Sequence, residues 1–545
     1  MALVMDAGSA DTLSPLETEI VTHLFVLYPS RAADLGLHQY DGLLSDLSRA
    51  STNRWAAQAR DLLRRLDRIP ESDLASPRRL DRNLLRLTLE GALFELEETR
   101  DYDRNPMGYL FQPYLTNYIA RDYAPIEDRA RAIARILTAF PAMLETATRR
   151  LEPILPRPFV TLSIQMASGL PTHFEEGETF AATGSASARE EVRNARKGAD
   201  TAVRAFVEWL QKERLPQAND DFALGPTRFQ RLLWVREGLT MPVSELLSRG
   251  RADLKRNQDR LAEIARKEGT PVDALVKRQY EQHPSPGELI PLVRRITDDT
   301  REFVRQKDLV TIPEPEICHV RETPPFARDL WTAACSSPGP FEKTVDGIYW
   351  VTGVDPAWTP EQAEGWMRTL NFAMLKNTTV HEVWPGHYLQ GLHFRRTKQT
   401  LARKVWVSSS FAEGWAHYCE QVALEVGFDG GSVSAEMIQL HDALLRDCRL
   451  IVSIGMHTQG MSVADASALL RTEAHLEEVH AEREAIRGTY NPEYFCYTLG
   501  KLAILEGRSK YLKTRFHGSL KAFHDALLGF GEPPIGFLDS LLAGA

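Results

Sequence analysis

The stretch TTVHEVWPGHYLQ (378–390) places two imidazoles, His381 and His387, around a carboxylate, Glu382. A metal-assisted hydrolase needs these groups: neutral imidazoles to hold zinc, an open coordination position, and a base to take a proton from water. The familiar H-E-x-x-H spacing sets its histidines four apart on one helix face, whereas here they are six apart. Six steps of roughly 100° turn about 600°, so an unbroken α-helix would aim the two rings about 120° apart. Pro385 and Gly386 offer an escape, because proline removes the backbone bond to residue 381 and glycine relaxes the dihedral limits. Two readings stay open from these residues alone. Either a bulged helix returns His387 to the side of His381, or a helix end carries two histidines hydrogen-bonded to backbone.

A second stretch, SSSFAEGWAHYCEQ (408–421), follows with a carboxylate 26 residues beyond His387. Ser408, Ser409 or Ser410 suits a helix N-cap, and Glu413, His417 and Glu420 then fall at steps of four and three along one face. Phe411, Trp415, Tyr418 and Cys419 surround that stripe with apolar side chains, a setting in which a carboxylate needs a partner.

The elements that must hold these groups are mostly helical. Residues 79–100, 127–153 and 186–215 carry apolar positions at three- and four-residue steps between charges, as do the runs beginning PVSELL and SPGELI, which predicts amphipathic helices. LPRPFV and GTPVDA supply breaks. Between 309 and 356, LVTIPEPEICHV and DGIYWVTGV carry β-branched and aromatic residues between turns, which predicts one or two short strands. The expectation is a mainly α protein with a small β element before the metal-binding helix, softly divided into residues 1–305 and 306–545.

Composition excludes several classes. The chain has 545 residues, 43% hydrophobic and 26% charged, with a net charge of -9. It is long enough for a large core and offers no basic field for nucleic acid. Five cysteines without a C-x-x-C pair argue against a disulfide framework and a thiolate zinc site, and fit a cytoplasmic location. MALVMDAGSADTLSPLE lacks the basic and apolar regions of a leader peptide, and no apolar run is long enough to span a bilayer. No membrane or nucleic-acid partner is expected. The G-x-S-x-G elbow, the phosphate loop and the dinucleotide turn are missing from the sequence, so no cofactor other than a metal is expected.

HEVWPGHYLQ and EGWAHYCEQ together resemble the signature of the bacterial domain-of-unknown-function family DUF885. The likeness runs from LYPSRAADLGLHQYDGLLSDLS (27–48) to FHDALLGFGEPPIGFLDSLL (523–542). More distantly, the pattern is similar to gluzincin peptidases, including angiotensin-converting-enzyme-like and carboxypeptidase Taq-like proteins, which are largely helical with a deep cleft. The resemblance implies that His381, His387 and Glu413 hold Zn²⁺, that Glu382 is the general base, and that His417 and Glu420 orient the ligands. Relatives often read P-G-H-H where Tyr388 follows His387 here; if their second histidine is the ligand, His417 would replace it, and His387 is ranked first. LLRDCRLIVSIGMHTQGMS (444–462) resembles a family stretch with matching Arg446, Arg449 and His457, although Ser453 stands where an acid is common. Such arginines would bind a substrate carboxylate and His457 would donate to an oxyanion. In GTYNPEYFCYTLGKLAI (488–504), Tyr497 is matched as an oxyanion donor, with Tyr494 and Lys501 as further substrate-binding candidates and Thr498 where relatives carry lysine. Ile348 to Thr352 is a candidate edge strand for pairing with an extended substrate.

The function expected is therefore zinc-dependent hydrolysis of short peptides, by a carboxypeptidase or oligopeptidase. Alternatives are a metal-dependent amidase or other C–N hydrolase of a small amide, and a non-catalytic helical scaffold with a degenerate metal site.

Overall fold

The computed structural model describes residues 12–324, 328, 331–396 and 400–545. Residues 1–11, on which the expectation about a leader peptide rests, lie outside them. The chain is 72% helix and 3% strand. The three periodic runs near the start become the helices Ser76–Leu93, Ile126–Arg150 and Ala186–Trp209, and the two later runs become Val243–Glu268 and Leu289–Gln306. Among the described residues, no helix is long and apolar enough to cross a membrane.

Two compact units divide the chain. One comprises the described residues up to Leu224 with 339–344 and 400–406; the other comprises those of 225–338, 345–398 and 407–545. The units part after Leu224, not near 305. The helix Val243–Glu268 packs along Val433–Thr458, and Leu289–Gln306 along Phe372–Glu382, so residues 225–305 belong with the metal motif. Periodicity reveals that a helix has an apolar face; it does not say which later helix covers that face.

In the first unit, the helices Ile126–Arg150, Arg157–Ala181 and Ala186–Trp209 pack side by side, with Phe140 and Phe174 edge to face at 5.9 Å. A charged cluster is sealed within this unit. Glu17 and Asp81 are both 0% exposed. Arg78 bridges them at 2.8 and 2.6 Å, Arg403 Nε donates to Asp81 at 2.7 Å, and the Ala402 N–H donates to Glu17 at 2.7 Å.

The second unit contains a three-stranded sheet in the order β1 (Ile317–Glu322), β3 (Asp346–Val351), β2 (Ala333–Ser336), with β3 parallel to β1 and antiparallel to β2. Ile348, Tyr349, Trp350 and Val351 are buried. The segment expected at an edge, Ile348 to Thr352, thus lies mainly on the central strand, where both sides of its ladder are already paired. The edge nearest the metal motif is β2, whose four residues are too few to show an alternating pattern. Elsewhere in the unit, Ser409–Glu425 and Cys496–Tyr511 pack at backbone contact. A Cβ on Gly414 would lie 2.3 Å from the Gly500 Cα, and one on Gly500 would lie 1.7 Å from the Ser410 carbonyl oxygen. Only paired glycines allow that approach, which carries Tyr497 towards Glu413.

Candidate metal centre

The helix Phe372–Glu382 stops directly after Glu382, and a new helix, His387–Arg396, opens at His387. Between them the Trp384–Pro385 peptide is cis. The Gly386 N–H donates to the Val380 carbonyl at 3.0 Å, drawing the chain back over the first helix end. A Cβ at Gly386 would meet the His381 carbonyl oxygen at 1.7 Å, so glycine alone fits. The Trp415 indole N–H donates to the Pro385 carbonyl at 2.9 Å and pins the turn to the Glu413 helix. This break brings the imidazoles together, with ring centroids 4.8 Å apart and planes at 87°.

Glu413 reaches the same point from Ser409–Glu425. That helix is capped by Ser408, whose Oγ accepts the Phe411 N–H at 3.0 Å. Its start is also held by the buried Glu237, which accepts from the Ser408 hydroxyl at 2.6 Å and from the Ser410 N–H at 3.0 Å. Burial pushes the Glu237 carboxyl up to about 7, against those hydrogen bonds. Glu413 Oε2 lies 3.5 Å from Nε2 of both His381 and His387. Among the described residues these three form a group whose ligand atoms all lie within 4.8 Å of one another.

The donor set suits a divalent cation. Glu413 Oε2 is buried and makes no hydrogen bond among the described residues, an expensive condition for a carboxylate oxygen. Glu420, 0% exposed on its side chain, takes His381 Nδ1–H at 2.7 Å, which leaves His381 Nε2 to present a lone pair. Burial would lower the His381 pKa, yet Glu413 and Glu420 lift it to about 10, so in the absence of metal a proton is held where a cation is favoured. Arg446 steadies Glu420 at 3.0 Å.

His417 does not join the three. Its Nδ1 lies 3.2 Å from Glu420 Oε2, burial drives its pKa down to about 3, and its buried Nε2 makes no hydrogen bond among the described residues. The geometry therefore groups His387, not His417, with His381 and Glu413. Tyr388 is a packing residue: its hydroxyl accepts the Ile317 N–H at 2.7 Å, and its ring lies against Gly347. Glu382 sits beside the cluster, its Oε2 accepting the Cys335 N–H of β2 at 2.8 Å. Burial raises its pKa, opposed by His381 and His387.

Several other candidates have different partners. Lys501 is buried in an ion pair with Asp253 at 2.8 Å, close to Asp447 and Thr498, and so does not present its ammonium to a substrate carboxylate. The Tyr494 hydroxyl donates to Glu484, which removes it as an oxyanion donor. Arg449 grips the same Glu484 with two bonds of 2.8 Å, and Arg446 is shared between Glu420 and Asp442; neither guanidinium is spare for a substrate. His457 is a core histidine whose Nε2 lies 2.9 Å from the Gly488 carbonyl, and burial lowers its pKa to about 4. It stands eleven residues beyond Arg446 on Val433–Thr458, roughly 16 Å along the axis. Tyr497 does reach the site. Its ring packs beneath Arg449 and beneath the Arg446 that holds Glu420, burial and then Glu413 raise its pKa so that the phenol keeps its proton, and its hydroxyl makes no hydrogen bond among the described residues.

Sequence reasoning missed the Cys335 N–H, the Trp415 clamp, the Glu237 anchor and Glu532. The last accepts from the Gln390 amide at 3.3 Å, and burial raises it to about 7 while His387 lowers it. Its place in GEPPIG gives no sign of charge burial.

Comparison with known proteins places this chain in a family. The model of a bacterial protein of unknown function, DUF885, matches residues 29–542. The chain belongs to the DUF885 family. Two solved structures share the fold. One, described as a candidate lipoprotein of unknown function from Shewanella oneidensis, is 24% identical with a TM-score of 0.81, over 98% of this chain and 100% of that one. The other, a candidate lipoprotein from Colwellia psychrerythraea, is 17% identical with a TM-score of 0.79, over 98% of each chain. No curated protein matches this DUF885 member.

Proposed function

We propose that this DUF885 protein is a zinc-dependent hydrolase of peptide bonds in short peptides, a carboxypeptidase or oligopeptidase, with His381, His387 and Glu413 holding the ion. The observation that carries the reading is the buried Glu413 Oε2, which makes no hydrogen bond among the described residues and is equidistant from two imidazole nitrogens. Zinc, when bound, supplies a Lewis acid and lowers the pKa of water to about 7.

The chain's own groups then divide the work. Glu382 is held through Oε2 by the Cys335 N–H, and Oε1 makes no hydrogen bond among the described residues. That oxygen takes the proton of the attacking water and returns it to the leaving amine. Burial raises the pKa of Glu382, which suits a group that must hold a proton between the two events. The Tyr497 hydroxyl donates to the oxyanion that develops on the scissile carbonyl. Glu420 and Arg446 keep His381 in the tautomer that offers Nε2, and His417 supports Glu420. The helical, cleft-bearing peptidase architecture implied by the gluzincin likeness belongs to this proposal, as does a cytoplasmic location, which the five free cysteines support.

Elemental analysis tests the ligand set. The expected result is about one zinc per chain, lost in His387→Ala and kept in His417→Ala. Protein that takes up no zinc when offered it defeats the proposal and favours a scaffold. Glu382→Gln should keep the metal while turnover of a peptide pool falls at least about 100-fold; undiminished turnover would remove Glu382 from the mechanism.

A further inference from the structure

Three arginines gather around Tyr494 and Tyr497, and their surroundings differ. Arg449 lies over both rings at 5.1 Å and Arg446 over Tyr497 at 5.6 Å. Both are held by carboxylates, Arg449 by Glu484 and Arg446 by Glu420 with Asp442. Arg487, on the helix Glu478–Tyr490, lies over Tyr494 at 5.1 Å. Among the described residues its guanidinium makes no hydrogen bond or ion pair, and none of its nitrogens is sealed from solvent.

Its surroundings keep this guanidinium charged without giving it a direct acid partner. Burial and the neighbouring Arg449 work against its charge, Tyr494, Tyr497 and Glu484 outweigh them so that its pKa is raised, and the Glu484 oxygens are already committed to Arg449 and Tyr494. A planar fork of donors, partly withdrawn from water and lacking a counter-ion, is an anion-binding group. Arg449 lies over Tyr497 as well as Tyr494, and Arg446, over Tyr497, holds the Glu420 that accepts from His381, so the spare guanidinium stands in a stack continuous with the candidate metal centre.

We propose that Arg487 binds a free carboxylate of the substrate, the C-terminal carboxylate of a short peptide, and so directs the site towards cleavage near that terminus. The proposal rests on the peptide-hydrolase reading and narrows it to exopeptidase substrates. Arg487 takes the substrate-binding part that the motif likeness assigns to Arg446 and Arg449.

Calorimetric binding of N-acetyl-trialanine, as the free acid and as the C-terminal amide, tests it without relying on turnover. Both probes are titrated into zinc-free native protein and into zinc-loaded Glu382→Gln protein. The acid should bind about 10- to 100-fold more tightly than the amide. Arg487→Met should abolish that preference while leaving amide binding unchanged, and Arg487→Lys, which keeps the charge but loses the fork, should retain part of it. Thermal unfolding of each variant verifies folding. Equal binding of acid and amide to the native chain, a preference that survives Arg487→Met, or no binding of either probe would overturn the proposal. If acid preference is found in protein that takes up no zinc, Arg487 stands and the hydrolase reading falls. If peptides are cleaved but acid and amide bind alike, the hydrolase reading stands and Arg487 falls.

Discussion

Each unit buries a charged cluster, and the two are built on opposite principles. In the first unit, Glu17 and Asp81 face Arg78, Arg403 and a backbone N–H at hydrogen-bond distance. In the second, Glu413 faces two imidazoles at 3.5 Å, and one of its oxygens makes no hydrogen bond among the described residues. A closed cluster of arginine forks completes its own electrostatics and holds helices in place. A cluster of carboxylate and imidazole lone pairs is complementary to a charge that the chain does not itself supply. The burial of charge is therefore a poor guide to function; what separates the two is whether each buried acid has a fixed cation of its own.

The largest expected effect comes from breaking the closed cluster. Asp81→Ala leaves Arg78 and Arg403 without a shared acid and should cost about 3–5 kcal/mol in urea unfolding; a loss under about 1 kcal/mol would erase the contrast. Glu413→Ala should behave differently. In zinc-free protein its cost should be the smaller of the two. Native protein, however, should gain about 4 kcal/mol from zinc at a thousandfold excess over Kd, and this gain should vanish in the variant. A variant that still gains in full would show that the ion, if any, lies elsewhere.

A finer effect is expected at the turn. Trp415→Phe strips the Pro385 carbonyl of its indole donor and should cost about 1–3 kcal/mol, with weaker zinc uptake measured by competition with a chromophoric chelator. Unchanged uptake would mean that the turn holds its shape without the clamp. The smallest effect belongs to His38 in the first unit, stacked on Tyr123 at 3.8 Å and paired with Asp41 and Glu342. Burial opposes its charge, but those carboxylates push its pKa up to about 9. Its folded pKa is above the unfolded value, so its contribution is full below about pH 6.5 and is lost as pH rises through about 9. The stability gap between native protein and His38→Asn should shrink over that window. With the side chain 33% exposed, the gap should stay under about 1 kcal/mol; a gap that widens with pH would reverse the assignment.

The grouping of His381, His387 and Glu413 was legible because its parts carry local signals. Pro385–Gly386 announces a break between the two histidines, and the cap at Ser408 fixes the face on which Glu413 and Glu420 lie. The helical class was legible for the same reason, since a 3.6-residue period needs only neighbouring residues. The fate of Lys501, Tyr494 and the arginines was not. Each carries a side chain able to meet substrate, and each role depends on an acid distant in sequence: Asp253 for Lys501, Glu484 for Arg449 and Tyr494, Glu420 for Arg446. Arg487 was overlooked because an arginine on a polar helix reads as solvated, and its lack of an acid is visible only in three dimensions. β2 was missed because the four residues Ala333–Ser336 are held by β3.

Gly386 contributes no functional group to the chemistry, yet it decides whether the two candidate ligand histidines can meet. In a saturation mutagenesis experiment scored by activity, position 386 should therefore look like a ligand, intolerant of every replacement including alanine. A map drawn from such scores alone would place substrate contact at a residue that has no side chain with which to make it.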